Sequence, residues 1–170
     1  MSLTISRILV PMDFSAHSEH ALRYATALAT RLGASLHLLH VVEDPATTGA
    51  WSAESMPPDL AELRTELIAD AERRLLVYRG EPEHAQVPVV TTARMGLTSH
   101  TIVEYAAALN IDLIIMGTHG RTGVAHLLMG SVAEQVLRHA PCPVLTVRAG
   151  VRVEEPEEAM AHVTVVGGSR

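Results

Sequence analysis

The sequence contains no lysine, and all 13 of its basic residues are arginine. This absence excludes a P-loop lysine on a terminal phosphate, a Schiff-base lysine and the strand lysine of protein kinases. Any phosphate bound by this chain must therefore be held by backbone N–H groups, hydroxyls, arginine, histidine or a metal ion.

Cysteine and long apolar runs are also scarce. Cys142 is the single cysteine and lies between Pro141 and Pro143. We expect a buried structural thiol and no intramolecular disulfide. The first apolar run, residues 8–10, is too short for a signal-peptide core, and no run approaches the length of a membrane span. The sequence predicts a cytoplasmic protein that makes no membrane contact.

The net charge limits the class of binding partner, and the length limits the number of domains. The formal net charge is −6 and no basic cluster is present, which argues against nucleic-acid binding because that affinity comes largely from phosphate neutralisation. A chain of 170 residues that is 48% hydrophobic suits one domain with a single core. We expect a small-molecule partner.

Apolar strand-like runs alternate with segments of helical period, which is typical of βαβ units around a parallel sheet. The predicted strands are 5–12, 35–42, 87–93, 111–116 and 144–147. The predicted helices are 18–32, a segment that follows Pro58 and runs to about residue 79, 99–109 and 132–139, with Gly33 and Asn110 as helix ends. The pattern predicts an α/β fold with a doubly wound five-stranded parallel sheet, order 3-2-1-4-5, and helices on both faces.

In such sheets a ligand binds beyond the carboxyl ends of the strands, where the connections diverge to opposite faces. The order 3-2-1-4-5 puts that point between the first and fourth strands. The first strand ends in Pro11, Met12 and Asp13, and the fourth ends in Met116 and Gly117. We expect the carboxylate and the glycine to face each other across one crevice.

Gly117, Gly120 and Gly130 precede a predicted helix, with Ser131 directly after the last of them. Glycines let backbone N–H groups approach an anion, and the first turn of a helix adds further donors. We interpret this segment as a phosphate-binding site, and its length favours a functional connection. Three structural roles stay open as alternatives: a sharp strand exit at the glycines, a capping box formed by Ser131 and Glu134, and a helix cap by Asp13.

Four motifs occur in a fixed order along the chain. They are Val10-Pro11-x-Asp13-x-Ser15, HVVE at 40–43, Gly117-x2-Gly120-x9-Gly130-Ser131, and APCPVLTV at 140–147. With these motifs the chain resembles the universal stress protein family, in the branch that binds ATP. The resemblance covers residues 3–148, so 1–148 is expected to form the domain and 149–170 a tail that is disordered or adds a short strand.

The resemblance implies an ATP site with two parts. The residues implied around the adenosine are Pro11, Met12, Asp13, Val41, Met116 and Gly117. Those implied at the phosphates are Gly120, Gly130, Ser131 and Val132, with His119 and Arg121 as further loop contacts. Asp13 would accept hydrogen bonds and Val41 would offer backbone contacts to the adenine edge. A Mg²⁺ or Mn²⁺ ion is expected with the phosphates because few cationic side chains are available; its protein ligands cannot be named from the sequence.

The resemblance also implies a homodimer through strand 144–147, since an apolar edge strand is generally covered or paired. We favour an ATP-binding protein that regulates a stress response over an enzyme, because only His119 or His126 could serve as a base. A slow ATP hydrolase and a nucleotide-free homodimeric interaction module remain as alternatives.

Trp51, in the loop 44–58, is either a lid over the base or an ordinary surface residue. A metal site at His17 and His20 is the weakest hypothesis.

Overall fold

The computed structural model describes residues 4–46, 59–81, 85–118 and 130–148. The five strands are β1 (Arg7–Pro11), β2 (Ser35–Val42), β3 (Val89–Met95), β4 (Leu113–Gly117) and β5 (Val144–Val147). The four helices of these residues are α1 (Ala16–Leu32), α2 (Leu60–Arg79), α3 (Thr98–Ala108) and α4 (Ser131–His139).

All strand pairs are parallel and the sheet order is β3-β2-β1-β4-β5. At the centre of the sheet, Leu9 of β1 lies beside His37 of β2 on one side and Ile114 of β4 on the other. The predicted doubly wound fold is therefore confirmed. The point at which connections diverge lies between β1 and β4, as the order requires.

The core has two layers because alternate residues of a strand point to opposite faces. Ile8 and Val10 pack with α1 and α2, in a layer that includes Ala25 and Leu75. Leu9 and other residues of the opposite parity pack with α3 and α4. The three central strands, β1, β2 and β4, are buried on both faces, which explains their continuous apolar runs.

Several predicted boundaries were wrong by a few residues. The strand predicted at 111–116 begins instead at Leu113, because the exit of α3 continues through Asn110 and Ile111. Asn110 has φ 49°, and the Ile111 N–H donates to the Ala106 carbonyl. Asp112 then accepts from the N–H groups of Ser6 and Arg7 at 2.8 and 2.9 Å, which ties this turn to the start of β1.

Two other strands also differ from prediction. β1 covers 7–11 rather than 5–12. β3 covers 89–95 rather than 87–93, since its register with β2 continues to Met95 opposite Val42. Leu32 is 47% exposed, because it is the last helical residue before the left-handed Gly33. In α2 only Ala71 and Leu75 are buried.

Candidate functional site

A cavity of about 560 Å³ lies beyond the carboxyl ends of β1, β2 and β4. Nine of the residues predicted for the nucleotide site line it: Pro11, Met12, Asp13, Val41, Met116, Gly117, Gly130, Ser131 and Val132. The volume falls in the range of pockets that hold small molecules and cofactors. His119, Gly120 and Arg121, together with His126 and Trp51, lie outside the described residues. The structure therefore brings the first, second and fourth strand ends and the start of α4 to one opening.

The turn after β1 holds Asp13 at the cavity wall. One carboxylate oxygen of Asp13 accepts from the Ser15 N–H at 3.0 Å and from the Ser15 hydroxyl at 2.6 Å. Ser15 is the N-cap of α1 and its hydroxyl accepts from the Ser18 N–H at 3.3 Å. Asp13 therefore caps the turn into α1 through the Ser15 N–H, as the structural alternative for this residue predicted, while Ser15 is the N-cap of the helix itself.

Phe14, between Asp13 and Ser15, has a left-handed backbone with φ 62°. This conformation costs a residue other than glycine roughly 1–2 kcal/mol, so surrounding contacts must hold it. The Phe14 ring lies 4.4 Å from the His40 ring and 6.0 Å from the Tyr78 ring, centroid to centroid. The Arg74 guanidinium carbon lies 3.8 Å from the Phe14 centroid. This cluster could not be predicted from the sequence, since phenylalanine rarely adopts positive φ.

His40 is buried at the cavity wall, and its Nδ1 lies 2.6 Å from the Met12 carbonyl oxygen. A carbonyl only accepts, so Nδ1 carries the proton and donates. His37, three residues earlier, contacts Tyr105 of α3, with 3.1 Å between Nδ1 and the tyrosine hydroxyl. The two histidines therefore lie on opposite faces of β2, as their spacing predicted. Burial, with a smaller effect of Arg7, lowers the pKa of His37.

The start of α4 differs from the predicted capping box. The N-cap is Gly130, Ser131 is the first helical residue, and within the described residues no side chain caps the helix. Glu134 pairs with Arg138 at 2.8 Å and does not reach back to the N-terminus. Ser131 stands one position too late to cap, so this prediction was wrong. The N–H groups of Ser131 and Val132 have no acceptor within the helix and belong to residues that line the cavity.

Gly130 is tied to the end of β4. The Gly130 N–H donates to the Thr118 carbonyl at 2.8 Å, and the Thr118 N–H donates to the Val147 carbonyl at 3.1 Å. These two bonds hold the N-terminus of α4 beside Gly117. The backbone donors of the helix and the end of β4 therefore form one continuous wall.

The opposite wall comes from α2 and was not predicted. Leu67, Asp70, Ala71 and Arg74 line the cavity from this helix, and Glu43 and Thr98 contribute at the ends of β2 and α3. The Thr98 hydroxyl donates to Glu43 Oε1 at 3.2 Å. The sequence signal was the helical spacing of 67, 70, 71 and 74, but two charged residues in that set are typical of a solvated face.

Two further groups have perturbed pKa values near this end of the molecule. The hydrogen bond from Arg64, and a weaker one from the Ala46 N–H, lower the pKa of Asp44, with Arg64 Nη2 at 2.6 Å from Asp44 Oδ2. Burial and the hydrogen bond to Glu19, 2.7 Å long, raise the pKa of Tyr78 to about 12. Both bonds attach α2 to its neighbours, the first at the exit of β2 and the second at α1.

Cys142 is partly exposed rather than buried as expected. Partial burial, with the Asp112 carboxylate as a smaller cause, raises the pKa of its thiol. A raised pKa disfavours the thiolate, so this thiol is poorly suited to nucleophilic chemistry.

The family model of the universal stress proteins, described as "Universal stress protein family", matches residues 4–148. The chain belongs to the universal stress protein family. Universal stress protein MJ0531 of Methanocaldococcus jannaschii is 34% identical over 143 residues, which cover 84% of this chain and 81% of that protein. The structure of UspA from Lactobacillus plantarum is similar with a TM-score of 0.73 and 31% identity, covering 86% of this chain and 100% of that one.

Two structures of lower identity share the fold and contain nucleotides. One is a universal stress protein in complex with cAMP, 21% identical with a TM-score of 0.56, and the match covers 85% of this chain and 98% of that one. The other is the universal stress protein from Archaeoglobus fulgidus in complex with dAMP, 18% identical with a TM-score of 0.50 over 85% and 98% of the two chains. At these identities the likeness establishes the fold.

Two features are absent from the described residues. No helix in this part of the chain has the length and apolar character needed to cross a membrane. No group of three or more histidine, cysteine, aspartate or glutamate side chains is arranged there to hold a metal ion.

Proposed function

We propose that this universal stress protein binds ATP in the cavity at the carboxyl edge of its sheet and acts as a nucleotide-dependent regulator of a stress response. The observation that carries the proposal is the meeting of separate chain segments at one cavity. The segments 11–13, 41, 116–117 and 130–132 are far apart in sequence and all line it. Ligands of open α/β sheets bind at this kind of switch point.

The chemistry of the walls gives the ligand an orientation. The start of α4 offers backbone donors and the positive end of a helix dipole, which suit phosphate oxygens. The other end has apolar side chains, among them Leu39, Leu67 and Ile102, which suit a nucleobase. Because the chain has no lysine, phosphate binding would depend mainly on backbone N–H groups.

The cavity also suits a regulatory ligand better than a rapidly hydrolysed one. Its described carboxylates, Asp13, Glu43 and Asp70, are spread between the turn after β1, the end of β2 and α2. In the proposed orientation they lie toward the base, away from the terminal phosphate where a hydrolytic base is needed. Fast multiple turnover that His119→Ala or Arg121→Ala abolishes would overturn this preference for binding.

The universal stress proteins with cAMP and dAMP support the proposal, because in those two proteins the same fold holds an adenine nucleotide. A Mg²⁺ or Mn²⁺ ion would offset part of the triphosphate charge. The described residues include no cluster of carboxylates and histidines for it, so we propose that phosphate oxygens and water supply most of its ligands.

We further propose a homodimer through β5. This strand pairs with β4 along one edge and is the last strand of the described sheet. Within residues 4–148 as described, no strand pairs with its other edge, where we propose that a second copy of the chain pairs. A monomeric mass in solution at micromolar concentration would contradict the dimer. The cytoplasmic location and the role of residues 149–170 stay predictions of the sequence.

The direct test is to identify the bound molecule. The full chain is purified without added nucleotide, and the small molecules released on denaturation are analysed by mass spectrometry. Calorimetric titration with ATP, with and without Mg²⁺, then measures the affinity of stripped protein. We expect ATP or a related adenine nucleotide in the extract and saturable binding of ATP. An empty extract together with no heat of binding would contradict the proposal and favour an interaction module.

A further inference from the structure

The ATP site proposed above uses Leu67 of the α2 wall but gives no role to Arg74, the cationic residue of that wall. Leu67, Asp70, Ala71 and Arg74 reach the cavity from this helix. Residues three and four apart lie on one face of a helix, so these four form a single strip directed at the cavity. Arg74 is the only cationic side chain among the described residues that line it.

The Arg74 side chain is held in place by Phe14. Its guanidinium carbon lies 3.8 Å from the centroid of the Phe14 ring, which is van der Waals contact in a cation–π arrangement. The Phe14 ring in turn contacts the His40 ring at 4.4 Å. Arg74 therefore rests on an aromatic support that is itself fixed to β2.

The guanidinium is accessible from the cavity and is in no ion pair with a carboxylate of the described residues. Arg74 is exposed and lines the cavity. The ion pairs found among the described residues do not include Arg74. Asp70, one turn earlier on the same strip, pairs instead with Arg73, with 3.0 Å between Nη2 and Oδ1. The planar cation is thus available to a ligand.

The position of Arg74 matches the base end of the proposed ligand. α2 packs against β2 and β3, whereas α4 begins beside β4. Since β1 separates β2 from β4, the two walls are about two strand spacings apart, roughly 10 Å. A nucleotide with its phosphates at α4 would extend its base toward α2.

We infer that Arg74 stacks on the nucleobase and gives this site a preference for purine over pyrimidine nucleotides; the inference rests on the proposed nucleotide function. A guanidinium plane stacks on aromatic bases, and Phe14 behind it keeps that plane oriented. A purine has the larger ring face and gains more from such stacking. Arg74 is therefore a binding residue that determines which bases are accepted.

The test measures the affinities of the full chain for ATP, GTP, CTP and UTP by calorimetry. For the wild type we expect ATP and GTP to bind about tenfold more tightly than CTP and UTP. Arg74→Met keeps a long apolar side chain against Phe14 but removes the planar cation. It should weaken purine binding about tenfold and pyrimidine binding much less, so that the preference nearly disappears.

Two further variants separate stacking from other roles. Arg79→Met changes an arginine in the last turn of the same helix that does not line the cavity, and it should leave all four affinities unchanged. Arg74→Lys keeps the charge without the plane, and should lose most of the purine preference. A partly unfolded variant would lower all four affinities by the same factor, so the ratio of purine to pyrimidine affinity still reports on stacking.

The outcomes distinguish the two proposals. A wild type that binds nucleotides without a purine preference would overturn the role of Arg74 but leave the nucleotide site intact. The same holds if Arg74→Met lowers all affinities equally, or if Arg74→Lys keeps the full preference, since Arg74 would then act through its charge or its packing. A wild type that binds none of the four nucleotides would overturn the proposed function itself.

Discussion

The two walls of the cavity are built in different ways. At the β4–α4 wall, Gly117, Gly130 and Ser131 present mainly backbone, held by the sheet and by the hydrogen bond from Gly130 to Thr118. At the α2 wall, side chains face the cavity, and their support is the packing of Leu75 in the core and of Phe14 under Arg74. Backbone donors suit any phosphate chain, whereas side chains can choose among bases. Under the proposed function, affinity for the phosphates and selectivity for the base would therefore have separate structural origins in this site.

The largest expected effect is a loss of ATP binding when the β4–α4 wall is altered. Gly130→Val places a branched side chain at the N-cap of α4, where the proposed phosphates lie, and should abolish ATP binding. Gly130 has φ −72°, which valine can adopt, so the fold should survive. Calorimetry measures the binding and circular dichroism checks the fold.

The matched control is Gly80→Val at the end of α2. Gly80 has φ −83°, and a side chain there would meet only ordinary contacts, the nearest at 3.5 Å. It should bind ATP like the wild type. Normal ATP affinity in a folded Gly130→Val protein would show that the start of α4 is not a phosphate site.

The second effect tests the support of the α2 wall. Leu75 is fully buried in the core between α2 and the sheet, while the next residue, Leu76, is 52% exposed. Leu75→Ala should lower the free energy of unfolding by about 3 kcal/mol, and Leu76→Ala by less than about 0.5 kcal/mol. Urea unfolding measures both. Equal costs for the two variants would mean that α2 is not anchored through Leu75.

A smaller effect is expected at Asp13, in the turn after β1 between the two walls. Asp13→Ala removes a carboxylate that lines the cavity and should weaken ATP binding about tenfold, the value of one charged hydrogen bond. Calorimetric affinity is the measurement. Ser15→Ala is the control, because it removes the partner of Asp13 at the start of α1 but not the carboxylate. Unchanged affinity in Asp13→Ala would leave Asp13 only its role in orienting Ser15.

The smallest effect is a pH dependence of the unfolding free energy that arises from Tyr78, whose ring packs beside Phe14. The pKa of Tyr78 is raised from 10.0 to about 12 in the folded protein. The contribution of Tyr78 to stability is therefore fully present below pH 10 and is lost as the pH rises from about 10 to 12. Between these values the unfolding free energy of Tyr78→Phe should fall less than that of the wild type. Parallel curves in urea titrations would contradict the assignment, and Tyr24→Phe on α1 serves as the control.

The fold and half of the site were predictable from the sequence for a physical reason. Continuous apolar strands and amphipathic helices have a periodicity that is visible in the sequence. The glycine spacing indicates where backbone N–H groups can closely approach a ligand. The strand order places Asp13 and Gly117 at one edge of the sheet, and this placement can be predicted without any knowledge of side-chain contacts. These features depend on local sequence or on topology alone.

The remaining half depends on tertiary packing. Asp70 and Arg74 have the composition of a solvated helix face, and only the docking of α2 turns that face toward the cavity. The left-handed conformation of Phe14 is imposed by its neighbours against its own preference. The capping box failed because Ser131 and Glu134 fit the motif one residue out of register with the true start of the helix. Each error arose where a contact distant in sequence decided a local choice.

The hydrogen bond between Gly130 and Thr118 has a consequence for how this chain can change. It joins the two ends of the segment 119–129, so the sheet and α4 meet at a fixed closure point that does not depend on the number of residues between them. Because the entropy of closing a loop grows only slowly with its length, insertions or deletions inside that segment should be thermodynamically cheap. The sequence of segment 119–129 could therefore change its recognition properties while the sheet and α4 keep their relative position.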